Sequence, residues 1–205
     1  MKRIILILSC FIICFCSGCT AQSSGKYIVS AIGISRNGKE LNVLVEAVTV
    51  NFEDADRDIQ NIIFKGSAKN VGEAFLTAYN KSARPLSLEH CAVIILDETL
   101  TKEDIRKTLI FCEKRAEIPR AVAFVRTKSS EELLKAKPYS SVAVGFDIVS
   151  VLATQFEKKQ VEFKNRYYEI FETVLQADRF KALPEFAVSE EKIYLMGDDK
   201  NKRKK

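Results

Sequence analysis

The sequence predicts an α+β, mixed α/β fold: a mixed sheet with helices packed on it, including one βαβ crossover, followed by a helical segment. Three observations predict it. Two β-rich runs flank Asn37-Gly38, the strongest short hairpin signal. A nearly continuous apolar run, a striped amphipathic segment and a second apolar run then follow one another over residues 88–125. A long segment from Gly145 to Ala177 carries helical periodicity.

The elements follow in order. Tyr27 to Ile34 is β-rich and runs into Arg36-Asn37-Gly38-Lys39. Leu41 to Val50 places Leu41, Val43 and Val45 on one face and Leu44, Val48 and Val50 on the other, so the strand is expected inside the sheet. Asn51 to Asp58 reads as an acidic loop and Ile62 to Ala68 as a third strand. Asn70 with Glu73 three residues on resembles a capping box, and Val71, Ala74, Phe75, Ala78 and Tyr79 form one apolar stripe of a helix. Arg84-Pro85 ends that unit.

Leu88 to Leu96 is expected as a strand covered on both sides. Thr101 and Asp104 can cap the next helix, whose core face is Ile105, Leu109, Cys112 and Ala116. Pro119 bars its continuation, and Ala121 to Val125 is another buried strand. Strand, helix, strand in this spacing is a right-handed crossover between parallel strands. A short helix follows Ser129-Ser130 and stops before Pro138. Phe146, Val149, Leu152 and Phe156 are expected as the inward stripe of the long helix. After Pro184, Phe186 to Val188 and Lys192 to Leu195 read as short strands.

The 205 residues are 47% hydrophobic and 29% charged, ordinary globular usage. Lys2 and Arg3 carry +2 and the last eight residues carry +3, so the body of this +5 chain is neutral. A neutral body gives no electrostatic footprint for nucleic acid. With one His, His90, a site built on several histidines is excluded. The sequence holds no Walker loop, dinucleotide fingerprint, nucleophile elbow or metal-ligand pair. Ser87, Glu89 and His90 do not form a triad, because neighbours along a strand point to opposite faces. Asp54, Asp56 and Asp58 lack the Gly and distal Glu of a calcium loop and read as a solvated acidic segment.

The N-terminus carries an address. Met1-Lys2-Arg3 is positive, Ile4 to Cys16 is apolar, and Ser17-Gly18-Cys19 follows, the layout of a secretory signal. The 13-residue apolar run is shorter than the ~20 residues that span a bilayer. Cys16-Ser17-Gly18-Cys19 resembles a bacterial lipoprotein signal, with Cys16 where Leu is usual. That resemblance implies cleavage before Cys19 and acylation of its thiol. Of six cysteines, Cys10, Cys14 and Cys16 lie in the removable part, and no C-x-x-C pair exists. Cys91 and Cys112 fall on apolar faces, and whether they are bonded the spacing leaves open.

The sequence resembles the Ger(x)C family, the lipoprotein C subunits of spore nutrient-germinant receptors. The likeness rests on Cys19, on the early strand Tyr27 to Ile34, on Gly72-Glu73-Ala74-Phe75 and above all on Leu86 through Glu98. Ile105 to Leu109, Arg115 to Arg120 and Val122 to Glu132 then follow the family's order, while Thr20-Ala21 stand where Trp-Asp is usual and Glu89 where Gly is. The resemblance divides the chain into a signal peptide (1–18), a tether (19–26), a mixed-sheet N-terminal domain (27–128), a helical segment (129–182) and a remnant of a C-terminal domain with a basic tail (183–205). It implies a non-enzymatic subunit with lipidation at Cys19 and neither cofactor nor metal. Its expected place is the outer face of the spore inner membrane, held by lipid, with polytopic receptor subunits as partners. The alternative expectation is an extracytoplasmic solute-binding lipoprotein, which requires a concave polar pocket.

Overall fold

A computed structural model describes residues 25–50, 59–139, 142–159 and 183–196. Strands β1 (Tyr27–Asn37) and β2 (Glu40–Val50) form the expected hairpin, and Gly38 turns it at a φ of 60°, which a side chain disfavours. β3 (Ile59–Ala68) pairs antiparallel with β2. The remaining elements are α1 (Val71–Tyr79), β4 (Leu86–Ser87), β5 (Val93–Asp97), α2 (Lys102–Lys114), β6 (Ala123–Thr127), α3 (Ser130–Leu134), α4 (Val144–Lys159), β7 (Glu185–Ser189) and β8 (Lys192–Leu195).

The eight strands among the described residues join one mixed sheet in the order β3-β2-β1-β5-β6-β7-β8, with the short β4 beside the start of β1. β1, β5, β6 and β7 run parallel, so β5-α2-β6 is the predicted βαβ unit. The sheet is covered on both faces. Val71, Ala74 and Phe75 of α1 and Ile105, Leu109 and Cys112 of α2 share one core with Ile32, Ile34 and Phe124. Leu133 and Leu134 of α3 and Val144, Ile148 and Leu152 of α4 share the other with Ala31, Ile95 and Val125. Burial of a large apolar side chain on either face contributes about 1.5–3 kcal/mol.

Local chemistry explains the helix starts. The Asn70 side chain accepts the Glu73 amide at 2.9 Å. Thr101 and Asp104 form a complete capping box at the start of α2.

Several boundaries differ from the sequence reading. Leu88 to Ala92 is not strand: the Cys91 amide closes a turn on the Leu88 carbonyl at 2.9 Å. Leu88 and Cys91 are nonetheless buried, so their apolar character serves packing under the first helical layer. α2 stops at Lys114, because Arg115 leaves helical space at φ −99°, ψ 92°, and Ala116 is exposed rather than on the core face. The buried stripe of α4 is Val144, Ile148 and Leu152, while Phe146 and Val149 are half-buried. The side chain of Phe156 and the expected helix beyond Lys159 lie outside the described residues, as do the acidic loop at 51–58, residues 1–24 and the basic tail.

The described part of segment 183–205 extends the same sheet. Thr127 pairs with Phe186 across β6 and β7, and Phe186 and Ile193 are buried in the second core. The β7–β8 turn is made by Glu190 and Glu191, both left-handed at φ 51° and 62°. Lys137 secures it by donating its amide to the Glu191 carbonyl at 2.7 Å.

Candidate functional site

Among the described residues, a concentrated polar arrangement in the interior surrounds Glu46. β1 and β2 shift register between Val29 and Ala31, which leaves Ser30 as a bulge. The Ser30 hydroxyl donates to Glu46 Oε2 at 2.6 Å, and Asn61 Nδ2 of β3 donates to Oε1 at 2.9 Å. The backbone amides of Val144 and Gly145, the first residues of α4, donate to Oε1 and Oε2 at 2.8 Å each. A side chain with no solvent exposure thus supplies the anion that a helix N-terminus favours. Each oxygen accepts two hydrogen bonds, which leaves no oxygen open for a substrate. The arrangement is a latch between the hairpin and α4.

Asp97 does the same at the other end of the sheet. Its Oδ1 accepts from the Thr99 amide at 3.0 Å and the Thr99 hydroxyl at 2.7 Å, and its Oδ2 accepts from the Ser130 amide of α3 at 2.9 Å. Open sheets with parallel strands commonly hold ligands beyond the carboxyl ends of those strands. Here that edge is filled by ion pairs. Arg36 grips Asp104 through both oxygens, and these bonds hold the Asp104 carboxyl well below its ordinary range, at about 2. Arg126 lies between Glu98, at 2.9 Å, and Glu185.

Of the residues singled out in the sequence, Cys19 and Asp54, Asp56 and Asp58 lie outside the described residues. His90 is exposed in the turn before β5 and forms no hydrogen bond with Ser87 or Glu89. Cys91 and Cys112 are free, buried thiols; burial raises both, Cys112 to about 12. Among the described residues no group of three or more metal-ligating side chains occurs, and no helix is long and apolar enough to cross a membrane.

Among the described residues, two depressions of the surface are lined as follows. An open groove of about 770 Å³ runs between α3 and the β7–β8 turn, with Glu131, Glu132 and Lys135 on one wall and Glu190 and Glu191 on the other. A smaller hollow of about 260 Å³ lies between α1, β4 and the end of α2, beside Lys26. Sequence reasoning missed the Glu46 latch. Its signal was a single acid between Leu44 and Val48 on an apolar strand face.

These features define an α+β domain whose buried carboxylates fasten helices onto a mixed sheet. The family model described as spore germination protein N-terminal domain matches residues 26–180. The chain belongs to this family and is a Ger(x)C spore germination protein. Searches among curated proteins and among solved structures gave no match.

Proposed function

We propose that the protein is a non-enzymatic, lipid-anchored subunit of a spore nutrient-germinant receptor. Diacylglycerol on Cys19 holds it to the outer face of the spore inner membrane, and its domain works by contact with polytopic receptor subunits. The observation that carries this reading is the family match beginning at Lys26, seven residues after a lipoprotein-like Cys19. The interior supports it: the buried carboxylates of Glu46, Asp97 and Asp104 are each engaged in fastening a helix, with their hydrogen-bonding capacity directed at backbone amides, hydroxyls or Arg36.

Two measurements test the proposal together. Spores lacking the gene are expected to lose the response to at least one nutrient, and affinity capture of the acylated chain from spore membranes is expected to recover multi-span receptor subunits. Unchanged germination with every nutrient, together with no multi-span protein in the capture, overturns it.

A further inference from the structure

We infer that the end of the sheet where β1, β5 and β6 begin lies against the headgroups of an anionic phospholipid bilayer. Those strands start level with one another: Ala31 pairs with Val93, and Val93 with Ala123. The residues that lead into them therefore share one end of the domain. Lys26 precedes β1, Glu89 and His90 form the turn before β5, and Arg120 lies in the turn before β6. Arg84 joins them, since the Tyr27 amide donates to the Pro85 carbonyl at 3.0 Å and the Arg84 guanidinium lies over the Tyr27 ring at 5.8 Å. The end of α2 is there too, because Arg115 and Glu117 line one hollow with Lys26 and Glu89.

Charge is segregated onto this end. Lys26, Arg84, Lys114, Arg115 and Arg120 outweigh Glu89, Glu113 and Glu117 in a body that is neutral as a whole. Of the five cations only Arg115 is partly covered; the others are exposed. Among the described residues Lys26, Arg84, Lys114 and Arg115 have no carboxylate partner, in contrast to Arg36, Arg106 and Arg126, each of which is paired. Arg115 is also held in place, over the rings of Phe75 at 4.9 Å and Phe111 at 5.4 Å. A guanidinium fork matches the oxygens of a phosphate.

Position selects lipid as the occupant. Lys26 stands seven residues after Cys19, so an extended tether reaches at most about 25 Å. The hairpin turn at Gly38 lies at the opposite end of β1, roughly 35 Å away. The small excess of positive charge is too weak to hold a free domain on a bilayer, but it biases how a tethered one lies, within the ~8 Å reach of charge at physiological salt. β7 begins level with Arg126, near the far end of β6, so the groove beside Glu190 and Glu191 faces away from the bilayer. The inference deepens the proposed anchoring and rests on it for the tether.

The test reconstitutes the full chain, purified from membranes in detergent, in vesicles of phosphatidylcholine alone or with about one third phosphatidylglycerol. Lysines are acetylated and the products counted by mass spectrometry. On the anionic vesicles Lys26 and Lys114 are expected to react at least fivefold more slowly, with the protection lost at high salt, while Lys39 in the hairpin turn is unchanged. Arg84→Glu combined with Arg120→Glu is expected to abolish the protection, and Lys39→Glu to leave it intact; urea unfolding of each variant reports folding. Equal reactivity of Lys26 and Lys114 on the two vesicle types overturns the inference. So does equal protection of Lys39, or undiminished protection in the folded double variant. Protection in spore membranes but not on anionic vesicles assigns this end to a protein and likewise overturns it. Flotation and the mass of the Cys19 peptide read the anchor separately. A floating chain with acyl chains on Cys19 that fails the footprint sinks this inference alone, and an unacylated chain that passes it sinks the anchor alone.

Discussion

Glu46 and Gly145 are 99 residues apart in sequence, and the Gly145 amide donates to the Glu46 carboxylate at 2.8 Å. The contact exists because α4 comes down almost onto the β1 bulge. A Cβ at Gly145 would lie 2.6 Å from the Ser30 carbonyl oxygen and 2.9 Å from the Ala31 Cβ. Glycine permits the approach, the bulge turns the Ser30 hydroxyl toward the acid, and the acid answers the helix terminus. Each of the three loses its purpose without the others.

Glu46→Gln therefore should destabilise the fold although it changes neither size nor shape. Four donors face the two oxygens. An amide nitrogen in one of those positions meets donors with a donor, leaving buried groups unmatched at a cost of about 1–3 kcal/mol each. The expected loss is about 2–4 kcal/mol in urea unfolding, with faster hydrogen exchange at the Val144 and Gly145 amides. A variant with the parent's unfolding midpoint would show that the latch carries no stability.

Glycine substitutions should sort by physical cause. At Gly66 a Cβ would lie 2.1 Å from the Ala74 carbonyl oxygen and 2.4 Å from the Ala78 nitrogen, all backbone of α1. Neither β3 nor α1 can yield without repacking, so Gly66→Ala and Gly145→Ala are each expected to cost more than about 2 kcal/mol. Gly38 has open space around it but a φ of 60°, so Gly38→Ala should cost only about 1 kcal/mol. Denaturant midpoints in the order Gly38→Ala above the other two check this; the reverse order contradicts it.

Much of this fold was legible in the sequence, for identifiable reasons. The Asn37-Gly38 turn, the two-faced apolar pattern of β2 and the caps at Asn70 and Thr101 are local signals, and each is found where it was read. The failures are tertiary. Leu88 and Cys91 are apolar because helices cover them, not because they are strand. The buried face of α4 is set by how Gly145 docks, which places Ile148 inward where periodicity alone had chosen Val149. The partners of Glu46 come from β1, β3 and α4, and no sequence spacing announces them. The hollow at Arg115 is equally hidden, since its walls come from Lys26, α1, β4 and the end of α2.

Acid should loosen the sheet edge at Arg36. Hydrogen bonds from the Arg36 guanidinium, with those from Thr101, hold the Asp104 carboxyl at about 2, below its unfolded value of about 3.9. A depressed carboxylate contributes stability that is fully present above the unfolded value and lost as pH falls through the folded one. The contribution therefore disappears between about pH 4 and pH 2. Asp104→Asn should be less stable than the parent at pH 7, and the difference should shrink toward pH 2. A difference that stays constant over that range removes Asp104 as the cause.

The two core thiols should be chemically silent in the folded chain. Cys91 and Cys112 are buried, and burial raises both well above the ordinary thiol range. The thiolate is the reactive form, so neither deprotonation nor access favours alkylation. Iodoacetamide at pH 8 should leave the peptides containing Cys91 and Cys112 unlabelled until urea is added. Rapid labelling of either in the native chain would contradict the packing of the first core.

Removing the Cys19 thiol should separate the domain from the membrane. Among the described residues no helix can span a bilayer, and the apolar run Ile4 to Cys16 is shorter than the ~20 residues a span requires. In the proposed arrangement attachment rests on acyl chains, each buried methylene contributing roughly 0.8 kcal/mol, and at least two chains are needed for stable anchoring. Cys19→Ala abolishes the thioether and with it every chain on that residue. The parent is expected in the membrane fraction, resistant to high salt, with a diacylglyceryl mass on the peptide beginning at Cys19. A salt-resistant membrane fraction undiminished in Cys19→Ala would mean that something other than lipid on that sulfur holds the protein.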